Sequence, residues 1–256
     1  FQWVWLEQAI ERGLIDEASD QFNSLHEALT GTFGRMGISG MLHLACCKES
    51  EEDEGTVEYL ADCARQGGVE TRLIYIEDIG IDTRGGFTDL QDEPITHLFK
   101  LYPWEWIMTD EFGKNVPTSN TRFIEPGWKS ILSNKGLLPL LWEMFEGHPN
   151  LLPAFFDGDA GAASLGGDYV RKPLFSREGA NVEIFQDGER TISIAGDYGT
   201  EGHIIQALHP LPDFAGNFPM IGSWLVASQP CGIGIREDTS LVTGNNARFV
   251  PHIISD

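Results

Sequence analysis

The chain has 256 residues, 41% hydrophobic and 11% aromatic, enough to bury a sizeable core as one large domain or two small ones. A formal net charge of −22 argues against a nucleic-acid or anionic-membrane binder, because phosphate surfaces require basic stripes. It fits a protein that handles cationic or amine partners, and equally a surface kept soluble by charge. No apolar run reaches transmembrane length. The four cysteines (Cys46, Cys47, Cys63, Cys231) have neither Cys-x-x-Cys spacing nor a disulfide-dense pattern. They read as reduced thiols, which places the protein in the cytoplasm. The seven histidines have no zinc-site spacing.

Phe1-Gln-Trp-Val-Trp-Leu6 lacks an initiator methionine and starts inside an apolar, helix-like segment, as a chain cut from something longer would. Residues 1–35 are predicted helical, with Trp3, Leu6, Ile10 and Leu14 on one face, then Phe22, Leu25, Leu29 and Phe33 on another. Met41–Ala45 is expected to be a buried strand, followed by an acidic loop over 48–54. A helix over 56–65 ends at Gly67-Gly68, and Thr71–Ile76 gives the next strand. That strand–helix–strand order predicts a parallel α/β unit.

Residues 77–94, with Gly80, Gly85, Gly86 and Pro94, are expected to form a loop. Leu137–Phe145 reads as a helix closed at Gly147-His-Pro149, and Asp157–Gly167 as a mobile lid or linker. From Tyr169 onward the pattern is mostly β, over 169–175, 181–186, 190–195, 203–208, 219–227, 231–235 and 248–254. The fold class expected is therefore α/β followed by antiparallel β.

The most informative stretch is Tyr169–Val182. One strand carries Lys172 inward, Pro173 ends the ladder, and a small polar loop (Ser176, Arg177, Glu178, Gly179, Ala180, Asn181) precedes the next β-like run. A strand lysine beside a glycine-bearing hairpin suits a triphosphate clamp, with the ammonium neutralising charge and loop N–H groups wrapping oxygens. A surface hairpin with a solvated lysine fits these residues as well. Neither a Walker A loop nor a Rossmann fingerprint occurs here.

Pro126-x-Trp-Lys, Ser133-Asn-Lys-Gly-Leu-Leu-Pro-Leu-Leu-Trp-Glu143 and His148-Pro-Asn-Leu-Leu152 are followed by Val170-x-Lys-Pro-x-Phe-Ser-Arg-Glu-Gly-Ala-Asn181. Gln206-x-x-His-Pro-Leu-Pro212 and Gly232-Ile-Gly-Ile-Arg-Glu-Asp-x-x-Leu-Val242 come next in order. Together these blocks resemble the glutathionylspermidine synthase family, in particular its stand-alone acid–amine ligase branch. The resemblance implies an ATP-grasp-type ligase, incomplete at its N-terminus. It implies a substrate-side, pre-ATP-grasp-like region over 1–125 and a nucleotide-binding region over 126–256. ATP and Mg2+ are the implied cofactors, and a small-molecule or peptide carboxylate and a polyamine-like amine the implied partners. The reaction implied is amide formation through an acyl phosphate.

Residue by residue, Lys135 and Lys172 match the family's ATP-contacting lysines, and Ser176 through Asn181 its phosphate-covering loop. Gln206, Ala207 and Leu208 match the hinge whose backbone edge reads adenine, and Leu241 and Val242 part of the purine pocket; core packing would also explain the last two. Arg236, after Gly-Ile-Gly-Ile, matches a catalytic bidentate grip on phosphate; the alternative is a structural ion pair with Glu237 or Asp238. Glu52 and Asp53 lie where related synthases recognise a substrate amino group, although a solvated acidic loop would contain the same residues. Leu101 replaces a hydroxyl residue of the family, which counts against glutathione as the acid. The family's magnesium ligands lie before the segment matching Phe1-Gln-Trp, so no metal ligand is assigned. Two rival readings remain open: a non-catalytic nucleotide-binding protein of the same fold, and an acidic interaction protein that binds neither nucleotide nor substrate.

Overall fold

The computed structural model describes residues 2–254. Phe1 and residues 255–256 lie outside them. Helix α1 (Gln2–Glu11) opens the chain, followed by α2 (Leu25–Arg35), β1 (Leu42–Cys46), α3 (Glu51–Gln66) and β2 (Thr71–Tyr75). A short pair, β3 (Gly80–Ile81) and β4 (Phe87–Thr88), leads to β5 (His97–Lys100), α4 (Trp104–Ile107) and β6 (Arg122–Ile124). After α5 (Leu137–Met144) the chain is mostly strand. These strands are β7 (Ala154–Phe156), β8 (Tyr169–Pro173), β9 (Glu183–Gln186), β10 (Glu189–Ser193) and β11 (His203–Ala207), then β12 (Phe218–Val226), β13 (Gln229–Asp238) and β14 (Arg248–Val250).

The chain divides into two compact units. One comprises Phe22–Ser130 with the hairpin tip Trp224–Gly232, and the other Phe1–Gln21, Ile131–Ser223 and Ile233–Asp256. We call them the parallel-sheet unit and the antiparallel unit.

The parallel-sheet unit is built on four parallel strands in the order β2-β1-β5-β6. All five residues of β1 are buried, as a central strand covered on both faces requires. Leu42, Leu44 and Cys46 pack with Val57, Ala61 and Cys63 of α3 on one face, and Ala45 packs with Ile74, Phe87 and Leu98 on the other. The chain steps from β1 to β2 on one side and reaches β5 on the other. The carboxyl ends of β1 and β5 therefore flank a topological switch point.

The expected acidic loop over 48–54 is mostly helix. Ser50 caps α3 by accepting the Asp53 N–H at 3.4 Å, and Glu51–Glu54 form the first turn. Carboxylates there face the positive end of the helix dipole, which is why the acidic run starts a helix. Gly67 allows α3 to close on α2, since a Cβ there would lie 2.7 Å from the Thr30 carbonyl oxygen.

In the antiparallel unit the sheet order is β10-β9-β8-β11-β7, and every pairing is antiparallel. Asp187 and Gly188 both have positive φ, 52° and 81°, and join β9 to β10 through the two-residue turn that Asp-Gly favours. Val170, Val182 and Ile184 form its core, with Ile192, Leu208, Leu241 and Val242 packed against them. Within 157–167, residues Ala160–Leu165 form a 3-10 turn. Of the predicted face of α1, Leu6 and Ile10 are half-buried and Trp3 is exposed, exposed Leu14 lies beyond the end of the helix, and Ala9 is the residue buried. Among the described residues no helix is long and apolar enough to cross a membrane.

Candidate functional site

The two lysines reach their partners from different elements. Lys135 lies just ahead of α5, and its backbone N–H donates to the Leu174 carbonyl at 2.9 Å. That bond sets the side chain beside the loop after β8, where Nζ donates to the Ser176 carbonyl at 2.8 Å and to Ser176 Oγ at 2.9 Å. Lys172 sits on β8 opposite Ile204, so Gln206 lies two positions along β11 on the same face. Its Nζ donates to Gln206 Oε1 at 2.8 Å. Burial pushes the Lys172 ammonium below the ordinary lysine range, since desolvation disfavours the charged form.

The loop over 176–181 is a tight turn. Ala180 N–H donates to the Arg177 carbonyl and Val182 N–H to that of Gly179, while Glu178, Gly179 and Asn181 all have positive φ. At Gly179, φ is +76° and a Cβ would meet Val242 Cγ1 at 2.5 Å, so the loop lies directly on Val242 and Thr243. Asn181 is committed within the protein: Nδ2 donates to the Gly196 carbonyl and Oδ1 accepts the Tyr198 N–H, each at 2.8 Å. It pins the 196–198 segment to the loop. Among the described residues, the N–H groups of Glu178 and Gly179 donate to no protein acceptor.

Val242 leads on to Arg236. The guanidinium Nη2 donates to the carbonyls of Gly244 at 3.1 Å and Asn245 at 3.4 Å, and the group lies 5.3 Å from the centre of the Phe249 ring. The ion-pair alternative does not hold in the form expected. Glu237 pairs with Arg248 at 3.0 Å, and Asp238 spends its carboxylate on the N–H groups of Ser240 (3.2 Å) and Gly244 (3.0 Å). Those backbone donors, above all Gly244, hold the Asp238 carboxyl below its usual range. Arg236 Nε is buried and has no partner among the described residues. A run of contacts thus joins Lys135 to Ser176, Gly179 to Val242, and Gly244 to Arg236.

At the hinge, Ala207 N–H donates to the Pro153 carbonyl at 2.9 Å and Leu208 N–H to that of Asp168 at 3.3 Å, so both backbone donors are used inside the fold. Leu208, Leu241 and Val242 pack on one apolar cluster.

In the parallel-sheet unit, Glu52 and Asp53 lie in the first turn of α3; Glu52 is exposed and Asp53 half-buried. The Glu52 carbonyl accepts from Thr56 Oγ1 at 2.9 Å. Sequence reasoning missed two features. The Gln206 side chain, rather than its backbone, engages a predicted residue. Asp238 shapes the loop beside Arg236, and the Asp-x-Ser spacing of 238–240 is an available turn signal for it. Among the described residues no group of three or more His, Cys, Asp or Glu side chains is placed to hold a metal ion.

Residues 1–255 match the family described as glutathionylspermidine synthase preATP-grasp. The chain belongs to this family. A protein of Haemophilus influenzae, provisionally named an acid–amine ligase, is 43% identical over 262 residues, covering 98% of this chain and 65% of that protein. Trypanothione synthetase of Crithidia fasciculata is 29% identical, covering 83% of this chain and 36% of its own. The bifunctional glutathionylspermidine synthetase/amidase of Escherichia coli is 24% identical, covering 97% and 44%. The chain therefore spans just under two thirds of the first relative and less than half of the other two.

Proposed function

We propose that the protein is an ATP-grasp-type, ATP- and magnesium-dependent ligase that joins a carboxylate to an amine through an acyl phosphate. The observation that carries this reading is the run of contacts from Lys135 through the 176–181 loop and Val242 to Arg236. It is supported by membership of a family whose relatives are named as synthetases and ligases. A carboxylate is a poor electrophile, and ATP supplies the phosphoryl group that gives it a leaving group.

The chain's own residues then have four tasks. Lys172 offers a cation whose hydrogen-bond partner among the described residues is the neutral Gln206 amide. Lys135 fixes the start of the loop through Ser176, and the N–H groups of Glu178 and Gly179, which donate to no acceptor among the described residues, present donors to phosphate oxygens. Leu208, Leu241 and Val242 offer an apolar surface for a purine ring. Arg236 has a buried Nε to give to a phosphoryl oxygen, a charge-assisted bond that an arginine fork makes well. Among the described residues no group of three or more His, Cys, Asp or Glu side chains is placed to hold a metal ion, so no ligand is assigned to magnesium and no step is drawn through it. Glu52 and Asp53 are proposed to recognise a substrate ammonium, with the substrate-side region over 1–125 and the nucleotide region over 126–256.

The test is ADP release by the full protein with mixed acids and amines, with hydroxylamine added to trap an activated acyl group. Acid-dependent hydroxamate formation is expected. ATP binding without any acid- or amine-stimulated turnover would favour the alternative, a non-catalytic nucleotide-binding protein.

A further inference from the structure

The parallel-sheet unit contains a cavity of about 350 Å³ that the nucleotide reading leaves unused. It opens on the face of the sheet opposite α3, beside the carboxyl ends of β2 and β5, where open α/β sheets bind ligands. Ile79, Phe87, Leu98 and Phe123 give it apolar walls, and Val116 closes one side. Its charged groups are Glu77, Asp110 and Glu111 against a single Lys100.

That ammonium is turned to the wall: Nζ donates to the Tyr102 carbonyl at 2.7 Å and lies 4.1 Å from the centre of the Trp104 ring. Glu77 accepts the Lys48 backbone N–H at 3.1 and 3.2 Å, which fixes its carboxylate without neutralising it. All three carboxylates belong to exposed residues, while the walls are buried or half-buried. A ligand that fits has an apolar body and a positive end. The volume falls in the range of small-molecule pockets.

We infer that this cavity binds the hydrocarbon chain of an aliphatic amine, with the ammonium held at the rim by Glu77, Asp110 and Glu111. The inference rests on the ligase reading for one point only, that the bound amine is the acceptor. Charge selects against the carboxylate partner, since three acids at the mouth repel it. The apolar walls select for chain length, because each methylene removed from water adds a similar increment.

The experiment is calorimetry on the full protein with n-alkylamines from ethylamine to hexylamine and the matching n-alkanoates, without nucleotide. Affinity should rise about fourfold per methylene until the cavity is filled, and each alkanoate should bind at least about tenfold more weakly than its amine. Asp110→Asn should lower affinity for every amine by a similar factor and leave the chain-length slope unchanged. Val116→Trp should cost the long amines most and leave ATP affinity unchanged. Affinity that does not depend on chain length, or alkanoates that bind as well as amines, would overturn the assignment on the unmodified protein alone. A clear chain-length series without amine-stimulated ADP release would overturn the ligase reading and leave the cavity assignment standing.

Discussion

Arg236 and Asp238, two residues apart on β13, hold the same residue from its two polar ends. Arg236 donates to the Gly244 carbonyl at 3.1 Å, and Asp238 accepts the Gly244 N–H at 3.0 Å. The segment between β13 and β14 is thereby clamped, and with it Val242, on which the 176–181 loop rests. A change at Arg236 should therefore act on the loop as well as on any phosphate.

Arg236→Lys tests this. An ammonium cannot reproduce a planar fork that grips two carbonyls and still has Nε to give. Turnover of the full protein should fall by about tenfold or more, and by clearly more than ATP affinity falls through the loosened loop. If the residue were only structural, the melting temperature would drop while activity per folded molecule stayed intact.

Lys172→Met separates binding from stability. Losing a charge-assisted contact of about 1.5–3 kcal/mol should weaken ATP binding by about one to two decades. Stability should move the other way with pH. Burial lowers the folded-state pKa of Lys172, so above that value the unfolded chain binds more protons. The wild-type protein should gain stability as pH rises from Lys172's folded pKa towards the ordinary lysine range. The methionine variant should lack that gain, which urea melts across the alkaline range would show.

Gly179→Ala should disable the loop. The new methyl group would sit 2.5 Å from Val242 Cγ1 at a residue with φ of +76°. ATP affinity should fall by about tenfold, and Val242→Ala in the same chain should restore part of it by removing the clash but not the backbone strain. No rescue by the double substitution would show that the loop does not rest on Val242 in solution.

Asp89 is an acid-sensitive point of the parallel-sheet unit. Burial opposes its charge, but the N–H groups of Gln91 and Glu93, His43 and Arg72 outweigh burial and hold the carboxyl at about 2. Because the folded value is depressed, the stability it gives is present above the ordinary carboxylate value. It is lost as pH falls from about 4 towards about 2. Asp89→Asn should destabilise the fold at neutral pH, since it removes the charge that the buried His43 and the part-buried Arg72 share, although Arg72 keeps the Gln91 side-chain oxygen as a partner. Paired urea melts at pH 7 and pH 3 should show the wild type losing more stability than the variant, in which the Asp89 contribution is absent.

The sequence was legible where one residue type could have only one environment. Met41–Ala45 reads as a buried strand because a largely apolar run suits a central parallel strand, and the strand found is Leu42–Cys46, one residue further on. The later strands follow from β-rich runs separated by turn residues, as at Asp187-Gly188. The start of α3 was misread because acidic residues suit a solvated loop and a helix N-terminus alike; Ser50 with Asp53 three residues on was the deciding signal. Lys172 and Gln206 could each be picked out, but their contact depends on strand register, which no local pattern supplies. The cavity was invisible for a similar reason: its walls come from segments scattered between Ile76 and Phe123.

The neutral partner of Lys172 has a consequence for how the site would fill. In a chain with a net charge of −22, an acidic neighbour for a buried ammonium would be easy to supply, yet an amide stands there. An incoming anion need not break an ion pair; it exchanges one amide contact for its own oxygen. Gln206→Glu, nearly identical in shape, would give the lysine an internal counterion and make the site its own competitive inhibitor. On the proposed reading, the readiness of Lys172 for an anion rests on nitrogen rather than oxygen at a single side-chain atom.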